Sequence, residues 1–250
     1  MNTGFLYKEI RETVKTPRLI VITAVFAFFA ILSPLGARYI NEIISSLGDI
    51  EIVIPDPVYY DAWIQFFKNM NSICMIVFLL TITGSVVSEK TRGSIMLVLS
   101  KNLSRMDFIL SKIIAGIMLF TTGYLVALVF CFYYTYVLFP GGKGNDLLYA
   151  LFLLWLLGVF YLTMGIFASV IAKTPTTAAI LGFAGYAVIN VPAMIPETAK
   201  YTPGGISVIG AQIISAQIDI SGTIPVLVLT AASIVFFAAA SILIFRKQEI

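Results

Sequence analysis

The stretch SEKTRGSIMLVLSKNLSRMDFILSK (Ser88–Lys112) carries seven of the chain's 29 charged side chains and lies between two long apolar runs, 73–87 and 113–139. Five of the seven charges are basic. Short loops on the cytoplasmic side of a membrane carry an excess of Lys and Arg. We therefore predict that this stretch is a cytoplasmic connection between two membrane-spanning helices, and we name it the elbow.

The whole chain is far more apolar than a soluble domain. Its 250 residues are 59% hydrophobic and 12% charged, with a mean hydropathy of +0.97, whereas soluble domains carry about 25% charged residues. A helix needs about 20 apolar residues to cross a bilayer. Six stretches fit, so the sequence predicts an all-α integral membrane protein with a single domain over 1–250. The predicted spans cover 19–37, 70–88, 108–138, 147–171, 175–195 and 223–245.

Three segments outside the spans have patterns of their own. Residues 1–18 combine basic side chains with apolar residues spaced by four, which predicts an amphipathic interfacial helix that is retained rather than cleaved as a signal peptide. Pro17 separates it from the first span. Residues 196–222 predict a re-entrant segment on the outer side. The aromatic residues within 59–67 predict an interfacial belt, with contact to a substrate as the alternative.

The basic residues also predict the orientation of the chain. The N-terminal segment, the elbow, Lys173 and the C-terminal end together hold 12 of the 16 basic residues. By the positive-inside rule all four parts are cytoplasmic, which agrees with an even number of spans. We therefore expect a multi-pass protein of the cell membrane, of the prokaryotic plasma membrane type, with both termini in the cytoplasm and lipids around it.

Residues that serve catalysis or metal binding are scarce. The chain has no histidine, and its two cysteines, Cys74 and Cys131, fall inside predicted spans, as expected for small buried side chains. The Walker A sequence is absent, and the glycine-rich turn 140–146 does not match it. We predict no ionisable residue in the six apolar cores, where ion-coupled pumps keep such groups. The sequence thus predicts no catalytic, cofactor or metal site, no enzyme activity, no nucleic-acid partner, and an energy source outside the chain.

The fifth predicted span is rich in small residues. Gly182 and Gly185 allow helices to approach closely, and Asn190 needs a hydrogen-bonding partner inside a membrane. Packing against other helices of the same chain explains this pattern. A seam with a second copy, or a lining of the translocation path, is the alternative.

Within the elbow, turn and cap residues divide the sequence into short pieces. Gly93 is expected to end the second span, and Ser94 is a plausible N-cap of a short apolar helix. Ser104 followed by Asp107 predicts a capped start for the third span. A turn that merely reverses the chain is the alternative.

The elbow resembles the cytoplasmic loop of type-2 ABC exporter permeases. That loop commonly has an acidic and a basic residue, then a glycine followed by Ser or Thr, a leucine-rich short helix, and Ser or Thr before Arg. The matching residues here are Glu89, Lys90, Gly93, Ser94, Leu97–Ser100, Ser104, Arg105 and Lys112, while Asn102, Leu103 and Ser111 depart from the common Pro, Val and Gly. The six spans and the flanking segments have the same layout as the family.

The resemblance implies that 89–107 is a coupling segment that docks in a cleft of a separate cytoplasmic ATPase subunit, which binds ATP and Mg. Two permeases, identical or related, would work with two ATPase subunits. A membrane channel or scaffold without ATP is the alternative, and it would require a polar pore lining. The implied roles are contact with the ATPase or pinning of the loop for Glu89, Lys90 and Arg92, helix termination for Gly93, a docking plug for Ile95, Met96, Leu97 and Leu99, and contact with the membrane surface or an acidic partner for Arg105.

Overall fold

The computed structural model describes residues 3–46, 56–93, 95, 103–142 and 146–248. Within these residues the regular structure is helical, and six helices are long and apolar enough to cross a membrane. The all-α membrane fold predicted from the sequence is confirmed. Spans one to six are Pro17–Arg38, Tyr59–Thr91, Arg105–Leu138, Leu147–Ile171, Pro175–Ala193 and Ile220–Lys247.

An N-terminal helix, Thr3–Lys15, precedes span one. The break between them lies at Thr16, whose backbone is extended with φ −86° and ψ 152°, and Pro17 begins span one. Proline is suited to the first helical turn because its missing N–H is not needed there. The N-terminal helix packs against span three, where the ring of Phe5 stacks on Phe108 with centroids 5.6 Å apart. Its place at a membrane surface stays a prediction.

Span two begins well before the predicted residue 70. It consists of Tyr59–Asn69, a π-helical stretch Met70–Cys74, Met75–Thr83 and, after a turn, Val87–Thr91. The predicted aromatic belt is wrong for Trp63, Phe66 and Phe67, which are fully buried. Charged residues made this segment look like a loop, but Asp61 caps the helix by accepting a hydrogen bond from the Val58 N–H at 2.8 Å.

Span four is the centre of the bundle. In its most apolar stretch 78% of residues are buried, against 17% in span five and 11% in span six. It packs against spans two, three, five and six, while span one packs against span three and the first part of span two. Span three is 34 residues long, or about 51 Å at 1.5 Å per residue, so it is longer than the hydrocarbon layer of about 30 Å.

The segment between spans five and six folds into short helices, Pro196–Ala199 and Ile206–Ile214, joined by the 3₁₀ turn Pro203–Gly205. Ile206–Ile214 packs against Tyr59–Asn69 and span four. Its isoleucines at 206, 209 and 213 are buried in the main core. The segment is therefore held by protein contacts and does not form a seventh span. A re-entrant position within a bilayer stays a prediction.

The helix order brings the basic parts of the chain to one end of the bundle. The N-terminal helix, the described residues of the elbow, the connection between spans four and five, and the end of span six all lie there. We name this the basic end. Both described cysteines, Cys74 and Cys131, are buried and unpaired in the interior, as predicted.

Candidate functional site

The helix of span two is interrupted by a turn at 84–86, just before the elbow. The buried hydroxyl of Ser169, near the end of span four, accepts hydrogen bonds from the backbone N–H groups of Val86 and Val87, both at 3.0 Å. A break in a helix leaves backbone donors without their usual partners, and burying them unpaired is costly. Ser169 therefore fixes the direction in which the chain enters the elbow.

The predicted helix boundaries of the elbow agree with the structure. Val87–Thr91 is followed by Gly93 at φ +69°, a conformation that favours glycine. At the far side, the Ser104 hydroxyl accepts a hydrogen bond from the N–H of Asp107 at 3.0 Å and begins span three. The end of span two at Gly93 and the cap at Ser104 are confirmed. Ser94, Met96, Leu97 and Leu99 lie outside the described residues, so their predicted roles stay predictions.

A buried charged cluster joins the N-terminal helix to both spans that flank the elbow. The ammonium of Lys112 lies 2.8 Å from Glu9 Oε2 and is also paired with Glu89 Oε1. Glu9 is 4% exposed and Lys112 8%. Lys112 belongs to the first turns of span three and lies just before the apolar run 113–139. Its charge is tolerated because two carboxylates neutralise it.

The cluster continues along the N-terminal helix to its surface. Lys8 lies 2.9 Å from both Glu9 Oε1 and Glu12 Oε2. Partial burial alone would lower the pKa of Lys8, but hydrogen bonds to Glu9 and Glu12 and charge attraction from Glu9 and Glu89 outweigh it and raise that pKa. Burial would likewise raise the pKa of Glu12, but the hydrogen bond and charge of Lys8 lower it. Both side chains are thus ionised near neutral pH.

A polar cavity of about 210 Å³ lies beside this cluster, between the N-terminal helix and spans one to three. Its lining includes the charged groups of the cluster and the hydroxyl-bearing Ser85 and Ser88 of span two. Arg18 and Arg92 also line it, and both are exposed. The basic end therefore has an indentation lined by polar and charged side chains next to the elbow.

Lys90 is used within the chain. Its ammonium donates hydrogen bonds to the backbone carbonyl of Val170 at 2.8 Å, to that of Ala172 at 3.4 Å, and to the side-chain carbonyl of Gln248 at 3.0 Å. The first two acceptors are at the end of span four, where helical carbonyls lack intrahelical partners. A cation is favoured at this end of a helix.

Arg105, on the other flank of the elbow, makes equivalent contacts with span six. Its Nη1 donates to the backbone carbonyls of Phe245 at 3.1 Å, Arg246 at 2.9 Å and Gln248 at 2.6 Å. The sequence predicts that Arg105 contacts the membrane surface or an acidic partner. In the structure its guanidinium caps a helix end of the same chain.

The remaining elbow residues of the prediction differ in accessibility. Arg92 and Gly93 are exposed, and a Cβ added to Gly93 would meet no atom within 4 Å. Ile95 is only 1% exposed and belongs to the main hydrophobic core. Ile95 thus packs inside the chain in this structure, and its predicted role in a docking plug stays a prediction.

Gly182 and Gly185 in span five face other helices of the same chain. A Cβ on Gly182 would lie 2.6 Å from Thr83 Cγ2 of span two, and one on Gly185 would lie 3.0 Å from Met164 Sδ of span four. Close approach of helices in membranes requires such small residues. These contacts account for both glycines by intrachain packing.

Asn190 finds its hydrogen-bonding partners within the chain. Its Nδ2 donates to the hydroxyl of Tyr161 at 2.6 Å and to the carbonyl of Tyr186 at 2.9 Å, and its Oδ1 accepts from Asn71 Nδ2 at 3.0 Å. Asn71, in the π-helical stretch of span two, also donates to Ser207 Oγ at 3.1 Å. The network ties spans two, four and five to the segment between spans five and six. A role in a dimer seam or pathway stays a prediction.

Comparison with known proteins adds the family. The family model for ABC-2 family transporter proteins matches residues 5–250. This chain belongs to the ABC-2 family of transporter proteins. Members of the ABC-2 family are membrane components of transporters and typically pair with ATPase subunits. The chain is also 26% identical over 212 residues, 81% of each chain, to the "Uncharacterized transmembrane protein YxlG" of Bacillus subtilis (strain 168).

Several residues that shape the ABC-2 elbow were missed by sequence reasoning. Glu9 is one of two acidic residues in the basic N-terminal segment, and Ser169 and Gln248 belong to no motif. Glu9 has one usable signal, since it lies four residues from Phe5 and so on the face that meets span three. The serine and the glutamine had none, because their partners are distant in sequence.

Proposed function

We propose that this chain is the permease subunit of an ABC exporter. It forms half of a translocation pathway in the cell membrane and receives mechanical work at its elbow from a separate cytoplasmic ATPase subunit. The ATP and Mg are bound by that partner. The basic end faces the cytoplasm, so both termini are on the same side as the ATPase.

The observation that carries the proposal is the exposed turn at Arg92 and Gly93 in a chain of the ABC-2 family. The turn is exposed at the basic end, while Glu89, Lys90 and Arg105 on the flanks of the elbow bind other parts of the chain. An exposed turn on rigid supports can transmit a push, whereas a mobile loop would absorb it. Arg92 is a side chain of this turn that is available to an acidic surface on a partner.

The uneven burial of the spans does not by itself call for a second copy of the permease. Span four is surrounded by its own chain, while spans five and six keep most of their apolar surface on the outside. Lipid covers such a surface equally well. We therefore base the second permease, identical or related, on membership of the ABC-2 family and not on a particular face of the chain.

The experiment is co-purification from membranes with a candidate ABC ATPase, sought by its Walker A and ABC signature sequences in the reading frames beside this chain, followed by measurement of the hydrolysis rate in nanodiscs. Arg92→Glu reverses the charge of the exposed turn without removing an internal contact described above. We expect it to lower recovery of the ATPase at least five-fold. Lys173→Glu is the matched control, because Lys173 is also exposed at the basic end but lies outside the elbow.

Equal loss in both variants would indicate a nonspecific effect of charge. If the unaltered chain captures no ATPase and leaves its hydrolysis rate unchanged, the exporter assignment fails. The channel or scaffold without ATP would then be the better account.

A further inference from the structure

Both flanks of the elbow are hydrogen-bonded to the same short tail at the end of span six. Gln248 is the centre of this arrangement. Its side-chain Oε1 accepts from Lys90 at 3.0 Å, its Nε2 donates to the carbonyl of Val170 at 2.9 Å, and its backbone carbonyl accepts from Arg105 at 2.6 Å. One residue thus joins the entry of the elbow, the exit of the elbow and the end of span four.

The contacts are stronger than those of a simple cap. Lys90 and Arg105 together donate to carbonyls at the ends of two different spans, four and six. Charged donors make hydrogen bonds roughly twice as strong as neutral ones, and helix C-termini attract cations. The elbow therefore cannot move away from spans four and six without breaking charge-assisted bonds.

The rigid support extends to the core. Span four is the most buried span of the chain, and Ser169 holds the helix break that precedes the elbow. A displacement that enters at the elbow is thus directed into the central helix and into span six.

We infer that Lys90, Arg105 and Gln248 form a C-terminal clamp, which makes the elbow and the ends of spans four and six move as one unit when the elbow is displaced. Lys90 and Arg105 are then positioning residues within the permease, and the tail after span six is a transmission element. This inference rests on the proposed function for the source of the displacement. The existence of the clamp itself can be tested without the ATPase.

The first arm of the experiment measures the distance between spin labels on the full-length chain in nanodiscs. Cysteines introduced at Thr91 and Lys247, both exposed, carry the labels, and the native Cys74 and Cys131 are buried. We expect a narrow distance distribution in the parent chain. The double variant Lys90→Met with Gln248→Ala should widen this distribution at least two-fold. The single variant Lys90→Arg, which keeps the donors, should retain much of the narrow distribution of the parent chain.

The second arm measures coupling in the complex with the partner ATPase. The clamp variants are expected to co-purify with the ATPase as well as the parent chain does. The change in hydrolysis rate that they cause should nevertheless be at least five-fold smaller than the change that the parent permease causes. Lys173→Met is the control for loss of a lysine at the basic end, and it should change neither readout.

The two arms separate the possible failures. An unchanged distance distribution in the variants would overturn the clamp. Widened distances with unchanged hydrolysis coupling would overturn its role in transmission. If the parent chain neither binds the ATPase nor alters its hydrolysis, the proposed function fails and the transmission role falls with it, while the first arm still decides whether the clamp exists.

Discussion

Replacement of Lys112 by methionine is the most informative single change at the basic end. The Lys112 side chain is 7% exposed, and its partners Glu9 and Glu89 are 6% and 15% exposed. Methionine fills a similar volume but removes the cation that joins Glu9 to Glu89, while Glu9 keeps its ion pair with Lys8. Breaking a buried ion pair by removal of one partner typically costs about 3–5 kcal/mol.

We expect Lys112→Met to fall near the lower end of that range, because Lys8 still pairs with Glu9 at 2.9 Å. Glu9→Gln should cost less, since Lys112 keeps Glu89 as a partner. The triple change of Glu9→Gln, Glu89→Gln and Lys112→Met should recover a large part of the loss, because it leaves no unpaired charge in the interior.

The assay is reversible unfolding of the full-length chain in mixed micelles, followed by the fluorescence of Trp63 and Trp155. Lys15→Met is the matched control, since Lys15 is an exposed lysine of the same N-terminal helix, and surface substitutions usually change stability by less than about 0.5 kcal/mol. If Lys112→Met is as stable as this control, the buried cluster does not hold the N-terminal helix and the reasoning is refuted.

Four further predictions concern the supports of the fold. Ser169→Ala should lower the free energy of unfolding by about 1–3 kcal/mol, because it leaves two backbone donors unpaired; Thr122→Ala, which removes an exposed hydroxyl bonded to its own helix, should have little effect in the same unfolding assay. Gly182→Ala should lower the melting temperature because its Cβ would meet Thr83 Cγ2 at 2.6 Å. A second change, Thr83→Ser, removes that methyl group and should restore the melting temperature. If it does not, contact with Thr83 is not the reason for the glycine. Asn190→Leu should destabilise by about 1–2 kcal/mol through lost interhelical bonds, and equal stability with the exposed control Val188→Leu would contradict the network. The lowered pKa of Glu12 and the raised pKa of Lys8 mean that the contribution of this pair to stability is present at neutral pH and is lost as pH falls through the lowered pKa of Glu12. The difference in unfolding free energy between the parent chain and Glu12→Gln should therefore shrink as the unfolding assay is taken from neutral to acid pH, and a difference that does not change with pH would contradict the pairing.

The spans could be predicted from the sequence because their signal is local. An apolar run of sufficient length is a property of adjacent residues, and the ends of spans three and four, at Leu138 and Ile171, coincide with the predicted residues. Span two was predicted too short because Asp61 and Lys68 interrupt its apolar pattern. Burial of Trp63 between neighbouring helices overrides that local signal.

The partners within the basic end could not be predicted, because each joins residues from separate helices. Glu9 meets Lys112, and Lys90 meets Gln248, only after six helices are arranged around span four. The elbow pattern did predict which segment is involved and where its helices end, at Gly93 and Ser104. It did not show that Ile95 turns inward while Arg92 stays exposed.

Attachment of the exposed turn to an ATPase is the central claim, and site-directed cross-linking tests it most directly. A cysteine introduced at Arg92 in the full-length chain is the reactive thiol, because Cys74 and Cys131 are buried. In membranes that contain the candidate ABC ATPase, the account predicts a covalent adduct between the two chains and protection of the thiol from reagents added outside the cell. Labelling of the thiol from the outer side of intact cells, without any adduct, would contradict the account.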